Sequence, residues 1–211
     1  MTNKAKYDTK NPVKRALLKR FLDRTRRIVD SPGIQSVLDV GTGEGLFWLH
    51  DANRQVVGVD VRMDALREAA THGVVRPVRG SAYELPFDDS SFDLVVAIEI
   101  LEHLESPARA ASELSRVSRS RVLVTVPWEP WFSLGVLLGT GQHWRRLGRE
   151  PEHINAFGPH DIEQVLSPWF GSVTVATCAP WIVVEASDPR TRQDASYHPD
   201  PQDVSSGGGP S

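Results

Sequence analysis

Ser36-Val37-Leu38-Asp39-Val40-Gly41-Thr42-Gly43-Glu44-Gly45 reads as a short apolar strand that runs straight into a glycine-rich turn. Glycines at positions 41, 43 and 45 let the backbone bend sharply and leave room for a ligand to lie against it, because no Cβ intervenes. The chain on either side fits around this turn. Gln55 to Asp60 gives a second strand, Val74 to Val78 a third, Phe92 to Ile98 a fourth and Val122 to Val126 a fifth. Their near-continuous Val, Leu and Ile content predicts strands covered on both faces, as in a parallel sheet between helix layers.

The dinucleotide fingerprint G-x-G-x-x-G needs Gly or Ala at position 46, where this chain has Leu46. Asp39 and Glu44 also flank the turn, and two carboxylates would repel a pyrophosphate. They suit a cationic ligand instead. S-adenosylmethionine, with its sulfonium and ammonium groups, is one.

Between the strands the pattern predicts helices. Asn11-Pro12 fits an N-cap and first helical residue, and Leu18, Phe21, Leu22, Thr25, Ile28 and Val29 follow at helical spacing. A short helix is expected from about Glu44 to Asp51, another from Met63 to Thr71 with Gly73 as C′ residue, and a third opening at Ser106-Pro107. Ala111, Leu114 and Val117 form the inner face of that third helix. After Pro127 the alternation breaks for some thirty residues, and the segment from about 128 to 158, rich in Trp, Gly and Arg, is expected to be a lid insertion. A helix over Pro159 to Leu166 and a hairpin of Ser172–Ala176 and Trp181–Ala186 complete the domain, with the last strand antiparallel. From residue 187 onward Asp, Pro, Ser and Gly dominate, and a disordered tail is expected over 187–211.

Composition bounds the reading. At 211 residues with 40% apolar residues, a single domain with a full core is the default. The lone Cys178 excludes an internal disulfide and a cysteine-only metal cage, and with no apparent signal peptide or membrane span it points to a cytoplasmic setting. Net charge is −3, yet residues 1–30 hold ten Lys or Arg against three Asp. That asymmetry suits either a solvated helix face or contact with a polyanion or membrane surface.

Four segments carry a family resemblance: Val37–Gly45; Val57-Gly58-Val59-Asp60; Gly80-Ser81-Ala82-Tyr83-Glu84-Leu85-Pro86-Phe87; and Phe92-Asp93-Leu94-Val95 leading to Ile100-Leu101-Glu102-His103. In that order and separation they resemble class I S-adenosylmethionine-dependent methyltransferases, and within them the type 11 small-molecule group. The resemblance covers about residues 34–186. It implies a Rossmann-like, doubly wound α/β fold of seven strands, mostly parallel with the last antiparallel, and helices on both faces. It also implies a cofactor site made of Asp39, Gly41, Thr42, Gly43, Gly45, Asp60, Val61, Ser81, Ala82, Tyr83, Ile98 and Glu99. Asp60 would accept from the ribose hydroxyls, and Ser81 stands where the family usually has an aspartate that accepts from the adenine amino group. A neutral hydroxyl makes the weaker bond.

Methyl transfer from a sulfonium depends mainly on alignment, and a general base is needed only when the acceptor must lose a proton early. His103 and His153 are the candidate bases, with His143 a weaker third. Trp128, Trp131, Phe132 and Trp144 either pack the lid onto the sheet or line an acceptor pocket. The reading is methyl transfer to a small-molecule or lipid-linked acceptor, with no metal and no nucleic-acid partner expected, and with membrane contact through the basic N-terminal segment (1–33) left open. A nucleic-acid methyltransferase and a non-catalytic S-adenosylmethionine-binding protein are the alternatives.

Overall fold

The computed structural model describes residues 11–49, 51, 54–73, 75–128 and 154–190. His143, His153, most of the expected lid and nearly all of the expected tail lie outside them. Five strands run parallel: β1 (Val37–Val40), β2 (Val56–Asp60), β3 (Val75–Arg79), β4 (Phe92–Ile98) and β5 (Ser118–Pro127). Two more, β6 (Phe170–Cys178) and β7 (Trp181–Pro189), form a hairpin in which β7 pairs antiparallel with both β5 and β6. The sheet order is β3-β2-β1-β4-β5-β7-β6. Chain order reverses between β1 and β4, which opens a crevice at the carboxyl ends of those strands, where ligands bind in doubly wound sheets. β7 continues three residues past the boundary expected from composition, because Ser187 pairs with both Arg121 and Ser172, and Pro189 with Phe170.

Helices cover both faces. α1 (Pro12–Val29) and α2 (Met63–Thr71) lie on one side. α3 (Pro107–Val117) and α4 (Pro159–Leu166) lie on the other. α1 begins as its residue types demand: Asn11 Oδ1 accepts from the Val13 and Lys14 amides at 2.9 and 3.2 Å, and Pro12 loses no bond in the first turn. Leu18, Phe21, Thr25, Ile28 and Val29 are buried against Val37, Val56, Leu94 and Trp181, so the helix shares the core of the sheet. The central strands β1 and β4 are covered on both faces, whereas the edge strand β3 is half open, which is where the reading of the first five strands as buried on both faces fails; β6, at the other edge, is half open too.

The expected helix from Glu44 to Asp51 is the other departure. Among the described residues of this segment one 3₁₀ turn forms, Leu46–Trp48, entered through Gly45 at φ +72° with no side-chain cap. Without a capping acceptor its amide groups stay unsatisfied by side chains, and a single turn is a marginal nucleus. Tertiary packing fixes it instead, by burying Trp48 and tying its indole to the strand below.

Candidate active site

The glycine turn is locked onto the end of β2. Gly41 and Thr42 amides both donate to Val59 O, at 2.7 and 3.0 Å, and Gly43 N donates to Asp60 Oδ2 at 2.9 Å. Two glycines are required for steric reasons. At Gly41, with φ +75°, a Cβ would collide with the Ile100 side chain that follows β4. At Gly58 a Cβ would stand 2.8 Å from Thr42 Cγ2, so the missing side chain lets the turn settle on β2. Gly43, by contrast, faces open space apart from the Arg62 guanidinium.

Asp39 is the most perturbed group here. Its Oδ2 accepts from Trp48 Nε1 at 2.8 Å, while Oδ1 has no hydrogen-bond partner and the residue is buried. Burial pushes its pKa up from 3.8 to about 6, against the opposing pull of the Trp48 indole. Thr42 Oγ1 stands near the same carboxyl, outside hydrogen-bonding geometry, and is also buried without a partner. Two unsatisfied buried oxygens beside an open glycine amount to polar capacity that a ligand can use.

Asp60 closes β2, where the ribose acceptor was expected. Each of its oxygens already accepts one backbone amide, from Gly43 and from Arg62, both at 2.9 Å. A carboxylate oxygen retains a second lone pair, so one further bond per oxygen is open. Glu44 is less available than its position in the sequence suggests. It is buried, with Arg62 Nη2 3.5 Å from Oε1, and Arg62 Nε lies 3.8 Å from Asp60 Oδ1. Arg62 thus meets one of the two acids, Glu44, that the sequence assigned to a cationic ligand, and leaves Asp39 to it.

Ser81, Ala82 and Tyr83 follow β3 as expected. The Ser81 hydroxyl accepts from Tyr83 N at 3.2 Å, Ala82 is buried beside Leu38, Val40 and Val59, and Tyr83 Oη accepts from Ser106 N at 3.2 Å. Arg109 stacks over the Tyr83 ring, 5.4 Å from its centre. Val61 is 60% exposed at the rim. Ile98 ends β4, and Glu99 follows it at φ +51°, a backbone conformation that costs a non-glycine residue energy and recurs at functional sites. The Trp181 indole donates to Glu99 Oε1 and holds it there. His103 is exposed, in the 3₁₀ turn Leu101–His103.

β1, β2, β3 and β4 therefore bring the candidate cofactor residues to one end of the sheet. Sequence reasoning missed Trp48, Arg62, Ile100 and Trp181 as parts of the site. Only Arg62, two residues beyond Asp60, carried a local signal. Among the described residues no group of His, Cys, Asp and Glu could hold a metal ion. The surface depression lined by Leu85, Pro86, Phe87, Asp88 and Ser91 precedes the amino end of β4 and lies apart from the glycine turn.

A doubly wound sheet with a glycine turn at its switch point, Asp39 inside β1 and Asp60 closing β2 has the arrangement of α/β folds that take a ligand at the carboxyl ends of their strands. Residues 38–125 match the methyltransferase domain family over less than half of the chain, in agreement with the class I S-adenosylmethionine-dependent methyltransferase resemblance. An uncharacterized methyltransferase of Mycobacterium sp. (strain JLS) is 36% identical over 139 residues, covering 58% of this chain and 55% of that protein. The chain thus spans about half the length of the curated relatives it matches. Among solved structures, a SAM-dependent methyltransferase from Thermotoga maritima superimposes with a TM-score of 0.62 at 16% identity, over 82% of this chain and 99% of that one. Magnesium protoporphyrin IX methyltransferase from Synechocystis, with bound S-adenosylhomocysteine, gives 0.60 at 17% identity over 85% and 89% of the two chains. At these identities the two structures speak to the fold.

Proposed function

We propose that this protein transfers a methyl group from S-adenosylmethionine to a small-molecule or lipid-linked acceptor by direct in-line displacement. The observation that carries the proposal is the union, at one end of the sheet, of the open Gly43 turn, the unsatisfied Asp39 and Thr42 oxygens and the Asp60 carboxylate. These groups fit the cofactor chemically. Carboxylates at 39 and 60 suit its ammonium and ribose hydroxyls, Ser81 and Tyr83 border the adenine, and Ile98 and Glu99 close the other side. When bound there, S-adenosylmethionine supplies a methyl group on a sulfonium that departs as a neutral sulfide.

The residues' work is to bind, orient and exclude water. Gly41 and Thr42, anchored on Val59 O, fix the turn before any ligand arrives, so little order has to be acquired on binding. Glu99, held by Trp181, presents a rigid acid at the start of the acceptor side. Where the acceptor must lose a proton, His103 and His153 are the bases to test, with the segment 128–158 as the cover over the acceptor.

The test is calorimetry with S-adenosylhomocysteine. Wild type should bind it and not NAD, and Asp60→Ala should weaken binding by about 2–4 kcal/mol, the scale of hydrogen bonding to a charged acceptor. Unchanged affinity in Asp60→Ala would remove that residue from the site. A screen of small-molecule and lipid acceptors with labelled cofactor would then identify the substrate.

A further inference from the structure

α1 carries seven Lys or Arg and one Asp, a net charge of +6 in a chain whose total is −3. The rest of the protein is therefore acidic, and the positive charge is concentrated on one helix. Its inner face is filled by Leu18, Phe21, Thr25, Ile28 and Val29. Val13, Ala16, Arg20, Arg24 and Arg27 follow one another at three- and four-residue steps and make a single exposed stripe on the outer side. The three arginines span about 10 Å along the axis. Arg15 and Lys19 add charge on the opposite flank.

Lys19 is paired with Asp23 at 2.6 Å, which neutralises the helix's one acid. Among the described residues, no hydrogen bond or ion pair engages the side chains of Arg15, Arg20, Arg24 or Arg27. Arg20, Arg24 and Arg27, unpaired at successive four- and three-residue steps, repel one another at a cost in stability, and an anionic surface relieves it.

We propose that the outer face of α1 is a peripheral docking surface for a bilayer containing anionic lipid headgroups. The chemistry of the stripe favours lipid over polynucleotide. Its exposed groups are guanidinium heads on aliphatic stems with Val13, 66% exposed, at one end. Phe21 and Thr25 point inward and the Asn11 side-chain oxygen is used as the helix cap, so the stripe offers no aromatic platform for a base and no amide or hydroxyl to read one. Arginines on the flanks of a helix lying parallel to a membrane can reach the headgroups from both sides. Since the apolar face is spent on the protein core, the helix adsorbs without inserting. Binding is then electrostatic, reversible and sensitive to salt. Among the described residues no helix is long and apolar enough to cross a membrane, which agrees with contact from one side only.

The inner face of the same helix packs beside the candidate active site. Phe21 packs on the Trp181 ring with centroids 4.8 Å apart, and the Trp181 indole holds Glu99. Adsorption through α1 would bring that end of the sheet close to the lipid surface. The docking inference itself stands independently of the methyl-transfer reading.

The experiment is co-sedimentation of the full chain with vesicles of phosphatidylcholine alone and of phosphatidylcholine mixed with phosphatidylglycerol, at low and high ionic strength. The expected result is binding to the mixed vesicles at low salt, release by salt and none to phosphatidylcholine alone. R20Q/R24Q/R27Q should weaken binding about 100-fold, since each cation near an anionic surface is worth roughly a factor of five. R20K/R24K/R27K should bind nearly as wild type. All three positions are exposed, so the thermal midpoint of both variants should stay at or above the wild-type value, which separates loss of binding from loss of fold. Equal binding to both vesicle types, no binding at low salt, full binding by the glutamine variant, or binding to duplex RNA in preference to mixed vesicles would each overturn the proposal.

Discussion

Asp93 is the second residue of β4, at the amino ends of the parallel strands, and Asp39 sits in β1 just before the glycine turn at their carboxyl ends. Asp93 Oδ2 accepts from Ser36 N and Ser36 Oγ, both at 2.9 Å, and from Gln35 N at 3.1 Å, while Arg119 bonds its other oxygen at 2.6 Å. These donors, the Ser36 amide foremost, pull its pKa down to about 2. Asp39 has one donor and a buried, unsatisfied oxygen, and burial lifts its pKa to about 6. One carboxylate stabilises the fold in its charged form, and the other is held charged at a cost. That contrast separates the end of the sheet that closes the structure from the end that is left for a ligand.

The comparison can be broken most severely at Asp93. Asp93→Ala strands two amides, a hydroxyl and a guanidinium, and should destabilise the fold by about 3 kcal/mol or more in chemical denaturation, with S-adenosylhomocysteine affinity unchanged in the folded fraction. The depressed pKa sets the sign of its pH dependence. The stabilisation is complete above the unfolded value of 3.8 and is lost as pH falls toward about 2, a decline that the alanine variant should lack.

Asp39 should behave in the opposite sense. Its raised pKa means the contribution is fully present below 3.8 and is lost as pH rises through about 6, so at neutral pH the ionised carboxylate costs roughly 3 kcal/mol. Asp39→Asn keeps an acceptor for Trp48 and removes the charge. It should gain up to about 2–3 kcal/mol of stability at pH 7 and above, lose the decline between pH 4 and 6, and bind cofactor more weakly. Equal stability across that pH range in wild type and variant would remove Asp39 from the site end of the comparison.

Ser81→Asp sharpens the contrast further. The Ser81 hydroxyl already accepts from Tyr83 N, and a carboxylate could keep that bond on one oxygen and offer the other to the ligand. Cofactor affinity should rise by roughly 1 kcal/mol, measured by calorimetry with the fold intact. His103→Ala is the mildest change. The side chain is exposed, so stability should move less than in the Asp93 and Asp39 variants. A fall in turnover on an identified acceptor, with cofactor affinity unaltered, would make His103 a base.

The succession of strands along the chain, the capped α1, the glycine turn and the acids in β1 and at the end of β2 were legible in the sequence, because each follows from local rules. Apolar runs make strands, Asn-Pro starts a helix, and glycine alone tolerates the turn's backbone and the close approach of Ile100 and Thr42. Tertiary structure alone decided which charges remain available. Arg62 folds back over Glu44 and Asp60, Trp48 reaches Asp39, and Trp181 crosses from the hairpin to Glu99, 82 positions away in the chain. It also reduced the expected helix at Glu44 to one turn. A hydrogen bond or a burial cost depends on separation in space, and only the packed chain brings such distant residues within reach. The sequence named the acids of the site, and packing determined that Asp39 is left unsatisfied while Glu44 is answered by Arg62.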